Sequence, residues 1–370
     1  MSRYIHQDKN WAQFTWDSDA LLSILSNVRN VQGRLMGKMH TLGFDLKQEA
    51  FLETLTLDVL KTSEIEGEFL QPEQVRSSIA RHLGMDIAGL IPSDRDVDGI
   101  VEMMLNATQN YGQPLTAERL FDWHASLFPT GRSGMYKINV AQWRKDETGL
   151  MQVFSGALGK ERVHFQAPEA HRLDTEMPRF IDWFNGQQDI DPVLKAAIAH
   201  LWFITIHPFD DGNGRIARAI TDMQLSRAEQ NPQRFYSVSA QIRLERNGYY
   251  AILEKTQKGT LDITAWLLWF LNCLTDALNA TNHTLERVLN KAIFWEKHAK
   301  TIFNERQILI LNKLLGHFEG KLNTSKWAKM AKCSTDTALR DIQDLVNKEV
   351  LEKDTFTSGR STHYVLKPIN

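Results

Sequence analysis

The sequence predicts a mainly α-helical protein with one small β-hairpin, and three observations carry that expectation. Apolar residues recur at helical spacing through most of the 370 residues. Glycine and β-forming residues gather in one short stretch, 131–165. Start and stop signals bracket the periodic segments, with Asp17, Pro72 and Pro192 ahead of them and Gly43 behind the first.

Asp17 or Ser18 caps a predicted helix that runs to Met39, with Leu21, Leu22, Ile24, Leu25, Val28 and Val31 on its apolar face. A second helix is predicted over 46–63. Pro72 opens a third, with Val75, Ile79 and Leu83 on one side. Further helices are predicted over 94–111 and 116–127. Segments 150–154 and 161–165 flank Ser155-Gly156-Ala157-Leu158-Gly159 and read as a hairpin that Pro168 ends. Helices resume over 171–185 and 192–206. The latter holds Val193, Ala197, Ile198, Leu201 and Trp202, apolar enough for the centre of a bundle. Helices over 216–229, 247–256 and 264–278 follow, then a long one to about residue 300.

The last seventy residues form a separate pattern. Helices are predicted over 305–315 and 324–331, then a third opens at Ser334-Thr335-Asp336 and runs to Lys348. Two short strands, 351–354 and 363–366, are joined by Ser358-Gly359-Arg360. Three helices and a hairpin in this order resemble a winged helix-turn-helix. The expected organisation is therefore 1–90, 91–290 and 291–370: an N-terminal helical region, a core, and this last domain.

Composition places the chain among ordinary globular proteins, with 42% hydrophobic and 24% charged residues. The formal charge of -2 excludes nothing by itself. Its distribution is uneven, because 300–370 carries twelve Lys and Arg against eight Asp and Glu. Cys273 and Cys333 are far apart and form no metal-spaced pair, so two reduced thiols in a cytoplasmic protein are expected. The N-terminal residues lack a signal-peptide core, and no apolar run reaches the length of a membrane span.

Residues 207–218 read His-Pro-Phe-Asp-Asp-Gly-Asn-Gly-Arg-Ile-Ala-Arg. Gly212, Asn213 and Gly214 fall where a loop becomes a helix, a place suited to close approach by an anion. Asp211 is a hard oxygen ligand for Mg²⁺ shared with phosphates. Arg215 and Arg218 lie three apart, so both reach one side of the helix. His207 can accept a proton near neutral pH. Together these residues suit nucleotidyl or phosphoryl transfer.

The pattern His207-x-Phe209-x-Asp211-Gly212-Asn213-Gly214-Arg215-x-x-Arg218 resembles the full active-site motif of the Fic family. The resemblance implies an all-helical bundle with a β-hairpin flap, and transfer of AMP from ATP to a Tyr, Thr or Ser hydroxyl of a target protein. By that resemblance His207 would deprotonate the hydroxyl and Asp211 would hold Mg²⁺. Gly212, Asn213 and Gly214 would form the anion hole. Arg215 would bind the phosphates released as pyrophosphate, and Arg218 the γ-phosphate. A phosphorylating branch has Lys at the second glycine, so Gly214 implies the adenylylating branch.

Thr62-Ser63-Glu64-Ile65-Glu66-Gly67 resembles the family's inhibitory motif, in which Thr62, Glu66 and Gly67 fill the defining positions. Glu66 would pair with Arg218 through a bidentate bond and keep it from the γ-phosphate. In relatives the same glutamate can orient a water that removes AMP, so a deadenylylating hydrolase is an alternative. The 150–165 hairpin resembles the flap, where Val163, His164 and Phe165 would line the edge that takes an extended target segment. Asn247, Tyr249 and Tyr250 fall where relatives meet the adenine.

DNA contact through 324–366 is a further expectation, with Lys329, Lys332, Ser334, Thr337, Arg340 and Arg360 as candidates. Asp336, Asp341 and Asp344 weigh against it electrostatically. A DNA-binding regulator with a nucleotide-sensing core is thus the second alternative. The sequence leaves the oligomeric state open, with a homodimer that holds the brake in place as one option, and no membrane partner is expected.

Overall fold

The computed structural model describes residues 4–85, 87, 89–146, 149–156, 162–316, 318, 320–354 and 362–368. Its elements are α1 Ser18–Thr41, α2 Phe44–Ile65, α3 Pro72–His82, α4 Arg95–Gln109 and α5 Ala117–Leu127, then the strands β1 Arg132–Ser133, β2 Tyr136–Lys137, β3 Gln152–Ser155 and β4 Arg162–Gln166. Next come α6 Leu173–Asn185, α7 Pro192–Ile206, α8 Asn213–Glu229, α9 Val238–Leu244, α10 Arg246–Gln257 and α11 Thr264–Lys297. The chain closes with α12 Glu305–Leu315, α13 Thr324–Met330, α14 Thr335–Asn347, β5 Leu351–Lys353 and β6 Tyr364–Leu366. The fold is mainly helical, with β1–β2, β3–β4 and β5–β6 as separate antiparallel pairs.

The chain packs as two compact units: 1–42 with 51–281, and 43–50 with 282–370. The centre of the first is the helix–loop–helix α7–α8. Every α7 residue from 193 to 206 is buried, and so is every α8 residue from 215 to 226. Helices α4 and α5 pack on α8, and α6 packs on α7. A helix buried on all sides needs no polar face, which explains why 192–206 carries so little amphipathic signal.

Several helix ends follow the chemistry read from sequence. Asp17 caps α1, accepting from the N–H groups of Asp19 at 3.0 Å and Ala20 at 3.1 Å. Thr116 caps α5 through the N–H of Arg119, and Asp191 with Pro192 opens α7. Helix α9 was not anticipated, although Ser237 caps it through Ala240 N–H at 2.9 Å. The break expected near residue 278 is absent, and α11 is one continuous helix of 34 residues. No proline or helix-stopping glycine interrupts the sequence there.

In the second unit α12, α13, α14, β5 and β6 follow in the anticipated order. Ile310, Leu311, Trp327, Ile342 and Leu345 form its core. The expected turn at 358–360 lies outside the described residues, as do 157–161 of the flap. Among the described residues no helix is long and apolar enough to cross a membrane.

Candidate active site

The site is built at the loop between α7 and α8. Helix α7 ends at His207, whose backbone is left-handed at φ 53 and ψ 59. Arg144 fixes that turn. Its Nε donates to His207 O at 2.8 Å, and its own N–H donates to Pro208 O at 2.9 Å. The same guanidinium bonds Pro168 O and pairs with Asp146 at 3.0 Å. His207 Nδ1 faces Ile204 O at 3.2 Å. A carbonyl can only accept, so Nδ1 carries the proton and Nε2 keeps a free lone pair. Burial depresses the His207 pKa to about 4, outweighing the support of Ile204 O. The imidazole is therefore neutral at pH 7 and able to act as a base.

Phe209 anchors the loop in the core. It is fully buried and stacks on His124, with ring centroids 4.2 Å apart. Ala141 N–H donates to His124 Nδ1 at 3.2 Å, so Nε2–H of that histidine donates to Asp211 O, also at 3.2 Å. Burial lowers the His124 pKa to about 4, which keeps this bridge neutral. Gly212 follows at φ 78, with its absent Cβ facing the Phe128 ring at 2.9 Å. Only glycine accepts that backbone without strain.

The Asn213 side chain turns back onto the loop itself. Its Oδ1 accepts from Phe209 N–H at 2.9 Å, and its Nδ2 donates to Phe209 O at 2.8 Å. The side chain thus staples the loop, and only its backbone N–H is offered at the helix start. The first α8 ladder bond runs from Ile216 N to Gly212 O, so the N–H groups of 213–215 precede the ladder and make an anion-attracting terminus. Asn213→Ala leaves both Phe209 backbone groups buried and unpaired. We expect a loss of about 2–4 kcal/mol, read by denaturant unfolding; a loss under about 0.5 kcal/mol would contradict the staple.

Asp211 Oδ1 accepts from Gly212 N–H at 2.6 Å, and Oδ2 accepts from Ser133 Oγ on the β1–β2 hairpin. Each oxygen keeps a lone pair. No cluster of three protein ligands for a metal exists among the described residues. A single oriented carboxylate fits a divalent cation that takes its other ligands from phosphate and water.

The two motif arginines, Arg215 and Arg218, are occupied by the last turn of α2 and the turn that follows it. Arg218 Nε donates to Thr62 Oγ1 at 2.6 Å, and its Nη2 donates to Thr62 O at 3.0 Å and Glu66 Oε1 at 2.7 Å. The Glu66 contact involves one arginine nitrogen and one carboxylate oxygen, not the expected bidentate fork. Thr62 takes the other bonds. Burial opposes the Arg218 charge, yet its pKa is raised because the Glu66 carboxylate outweighs that cost. Gly214 makes the contact sterically feasible, since a Cβ there would overlap Glu66 Oε1. Gly67, at φ 87, ends the turn.

The remaining candidates are spread around this centre. Tyr249 is 2% exposed, and its hydroxyl bonds His200 Nε2 at 2.8 Å, so its ring is a core element rather than an open stacking face. Asn247 and Tyr250 are exposed, with Arg246 over the Tyr250 ring at 5.3 Å. On the flap, Val163 lies opposite Phe154 and is half-buried. His164 is tied to Glu254 on α10 at 2.7 Å and to Ser155 Oγ at 2.6 Å. Phe165 is 2% exposed, edge-on to Tyr4 at 5.3 Å, so it anchors the flap and cannot line a docking edge. Among the described flap residues, Leu150 and Phe154 are large apolar side chains left exposed.

Sequence reading missed the clamp made by Arg144, and it missed His124, Ser133, Glu254 and Glu68. Each acts on a group distant in sequence, so no local signal marks it.

A buried helix pair whose connecting loop holds a neutral imidazole, a carboxylate, a glycine-shaped helix start and two arginines defines the Fic type of helical fold. Residues 114–225 match the Fic/DOC family, and residues 4–85 match a domain of unknown function, DUF4172. Residues 114–225 form a Fic/DOC domain. It is similar to the protein adenylyltransferase Fic of Culex quinquefasciatus, 27% identical over 249 residues, covering 66% of this chain and 45% of that one. The Drosophila willistoni protein of the same description is 34% identical over 105 residues, 28% of this chain and 20% of that one. This chain thus spans less than half the length of these relatives. A Fic family protein from Desulfovibrio desulfuricans G20 shares the fold at TM-score 0.56 and 20% identity, across 96% of this chain and 98% of that one. A Fic domain containing signaling protein from Bacteroides thetaiotaomicron does so at 0.52 and 20%, across 71% and 95%.

Proposed function

We propose that the protein is a self-inhibited adenylyltransferase that moves AMP from ATP to a hydroxyl of a target protein. The observation that carries this reading is a neutral His207 with a free Nε2 at the loop that leads into α8, with the Glu66 carboxylate bound to Arg218 and packed against Gly214 in the first turn of that helix. A carboxylate resting there marks the place as suited to an anionic oxygen.

In the proposed step His207 Nε2 takes the proton of the incoming hydroxyl. The hydroxyl oxygen bonds the α-phosphorus, the bond to the bridging oxygen breaks, and pyrophosphate leaves with that electron pair. The N–H groups of 213–215 and the side chains of Arg215 and Arg218 hold the phosphates. Asp211 would hold a divalent cation such as Mg²⁺, which supplies charge neutralisation on the phosphates when bound. The brake works by occupying Arg218. The test is transfer of label from α-labelled ATP to protein, comparing wild type, Glu66→Gly and His207→Ala. No transfer from any of the three would end this reading, and Glu66-dependent release of AMP from a modified protein would favour the hydrolase.

One observation favours a second function for the C-terminal unit, read as a winged helix-turn-helix. Two carboxylates that weighed against DNA binding are engaged by side chains of their own unit. Asp341 accepts from Arg306 at 2.7 and 3.0 Å and from Asn304 at 2.9 Å, while Asp344 accepts from Gln307 at 2.8 Å and from Lys348. Arg340, Lys329 and Lys332 stay exposed. We expect duplex DNA to bind the full chain and to weaken by at least about tenfold between 50 and 200 mM salt, measured by fluorescence anisotropy. Binding unchanged by Arg340→Ala together with Lys329→Ala would exclude this face.

A further inference from the structure

Arg215 has a partner that the inhibitory motif does not include. Its Nη1 meets Glu68 Oε2 at 2.6 Å, and the guanidinium lies over the Phe128 ring at 5.1 Å. Its Nε is buried and makes no hydrogen bond among the described residues. The arginine side chain is 5% exposed, whereas that of Glu68 is 50% exposed. The turn explains how one short segment reaches both arginines. Glu68 N–H bonds Ser63 O at 3.0 Å, and Gly67 between the two glutamates has φ 87. That left-handed step sends Glu66 to Arg218 and Glu68 to Arg215, which share a face of α8.

We propose that Glu68 is a second latch on this site, closing the Arg215 subsite against the pyrophosphate end of the nucleotide independently of Glu66. This rests on reading 207–218 as the nucleotide site. The two latches differ in kind. Arg218 is fully buried and is also held by Thr62, so its release requires the turn to move. Among the described residues, the one hydrogen-bonding partner of the Arg215 guanidinium is Glu68, whose exposed carboxylate can swing into water and exchange with a phosphate oxygen. Glu66 therefore governs how the triphosphate is seated, and Glu68 governs how tightly its leaving part is held. Removing Glu66 alone leaves the second latch closed.

Calorimetry with inorganic pyrophosphate on the full chain tests this without any transfer reaction. Glu68→Gln should tighten pyrophosphate binding by about five- to tenfold over wild type, with a comparable gain in the Glu66→Gly background. Arg215→Gln combined with Glu68→Gln should abolish the gain. Two results would overturn the latch: affinity in Glu68→Gln within about twofold of wild type, or a gain that persists without Arg215. Glu68→Ala repeats the measurement should the glutamine make a bond of its own. If pyrophosphate tightens but Glu66→Gly transfers no AMP, the latch stands and the proposed reaction fails; the converse pair of results fails the latch alone.

Discussion

In a Glu66→Gly background, His207→Ala will lower AMP transfer by about 10²–10⁴-fold, the range that a positioned base supplies. Binding of ATP should change little, because phosphates are held by α8 and not by the imidazole. A protein that keeps transferring label at the Glu66→Gly rate would remove His207 from the reaction. The pH profile supplies an independent check. Burial depresses the His207 pKa to about 4, so the neutral base persists as pH falls below 6.5 and is lost only as pH approaches 4. The acid limb of kcat/KM should therefore lie well below 6.5, provided the fold survives. A limb centred near 6.5 would mean that the working imidazole is hydrated and not enclosed as described.

The second large effect has the opposite sign. Glu66→Gly frees Arg218 from a charge-assisted bond worth about 1.5–3 kcal/mol, and self-modification should rise by about 10- to 150-fold. The lower part of that range is expected, because Glu66 is 30% exposed and Thr62 still holds the arginine. Thr62→Ala added to Glu66→Gly should raise it further by a smaller factor. Incorporation of label equal in wild type and Glu66→Gly would show that the pairing restrains nothing.

Much of this was legible before any coordinates. The helical segments, the hairpin and the C-terminal order follow from periodicity and caps, because those signals are local. The spacing of Arg215 and Arg218 gave their common face, and the order of Thr62, Glu66 and Gly67 pointed to the turn that meets them. What stayed hidden depends on the third dimension. Arg144 and His124 act on backbone groups more than sixty residues away, and no local pattern announces such a bond. Asn213 has the right identity for several roles, and only the position of Phe209 selects among them. Tyr249 shows the reverse error: its place in sequence suggested a ligand, while its neighbours bury it. Glu68 was passed over because a carboxylate beyond a stop glycine is ordinary; its meaning lies in which arginine it meets.

The left-handed backbone at His207 bears on how an inert form of the protein should be made. Alanine there tolerates φ 53 poorly, whereas asparagine and glycine adopt it at lower cost. Loss of turnover in the alanine variant therefore mixes missing chemistry with a disturbed hinge. His207→Asn keeps a polar side chain on the same unusual torsion and cannot accept the proton. It is the cleaner silent control, and a crystal of it with nucleotide would record the loaded pocket with its shape intact.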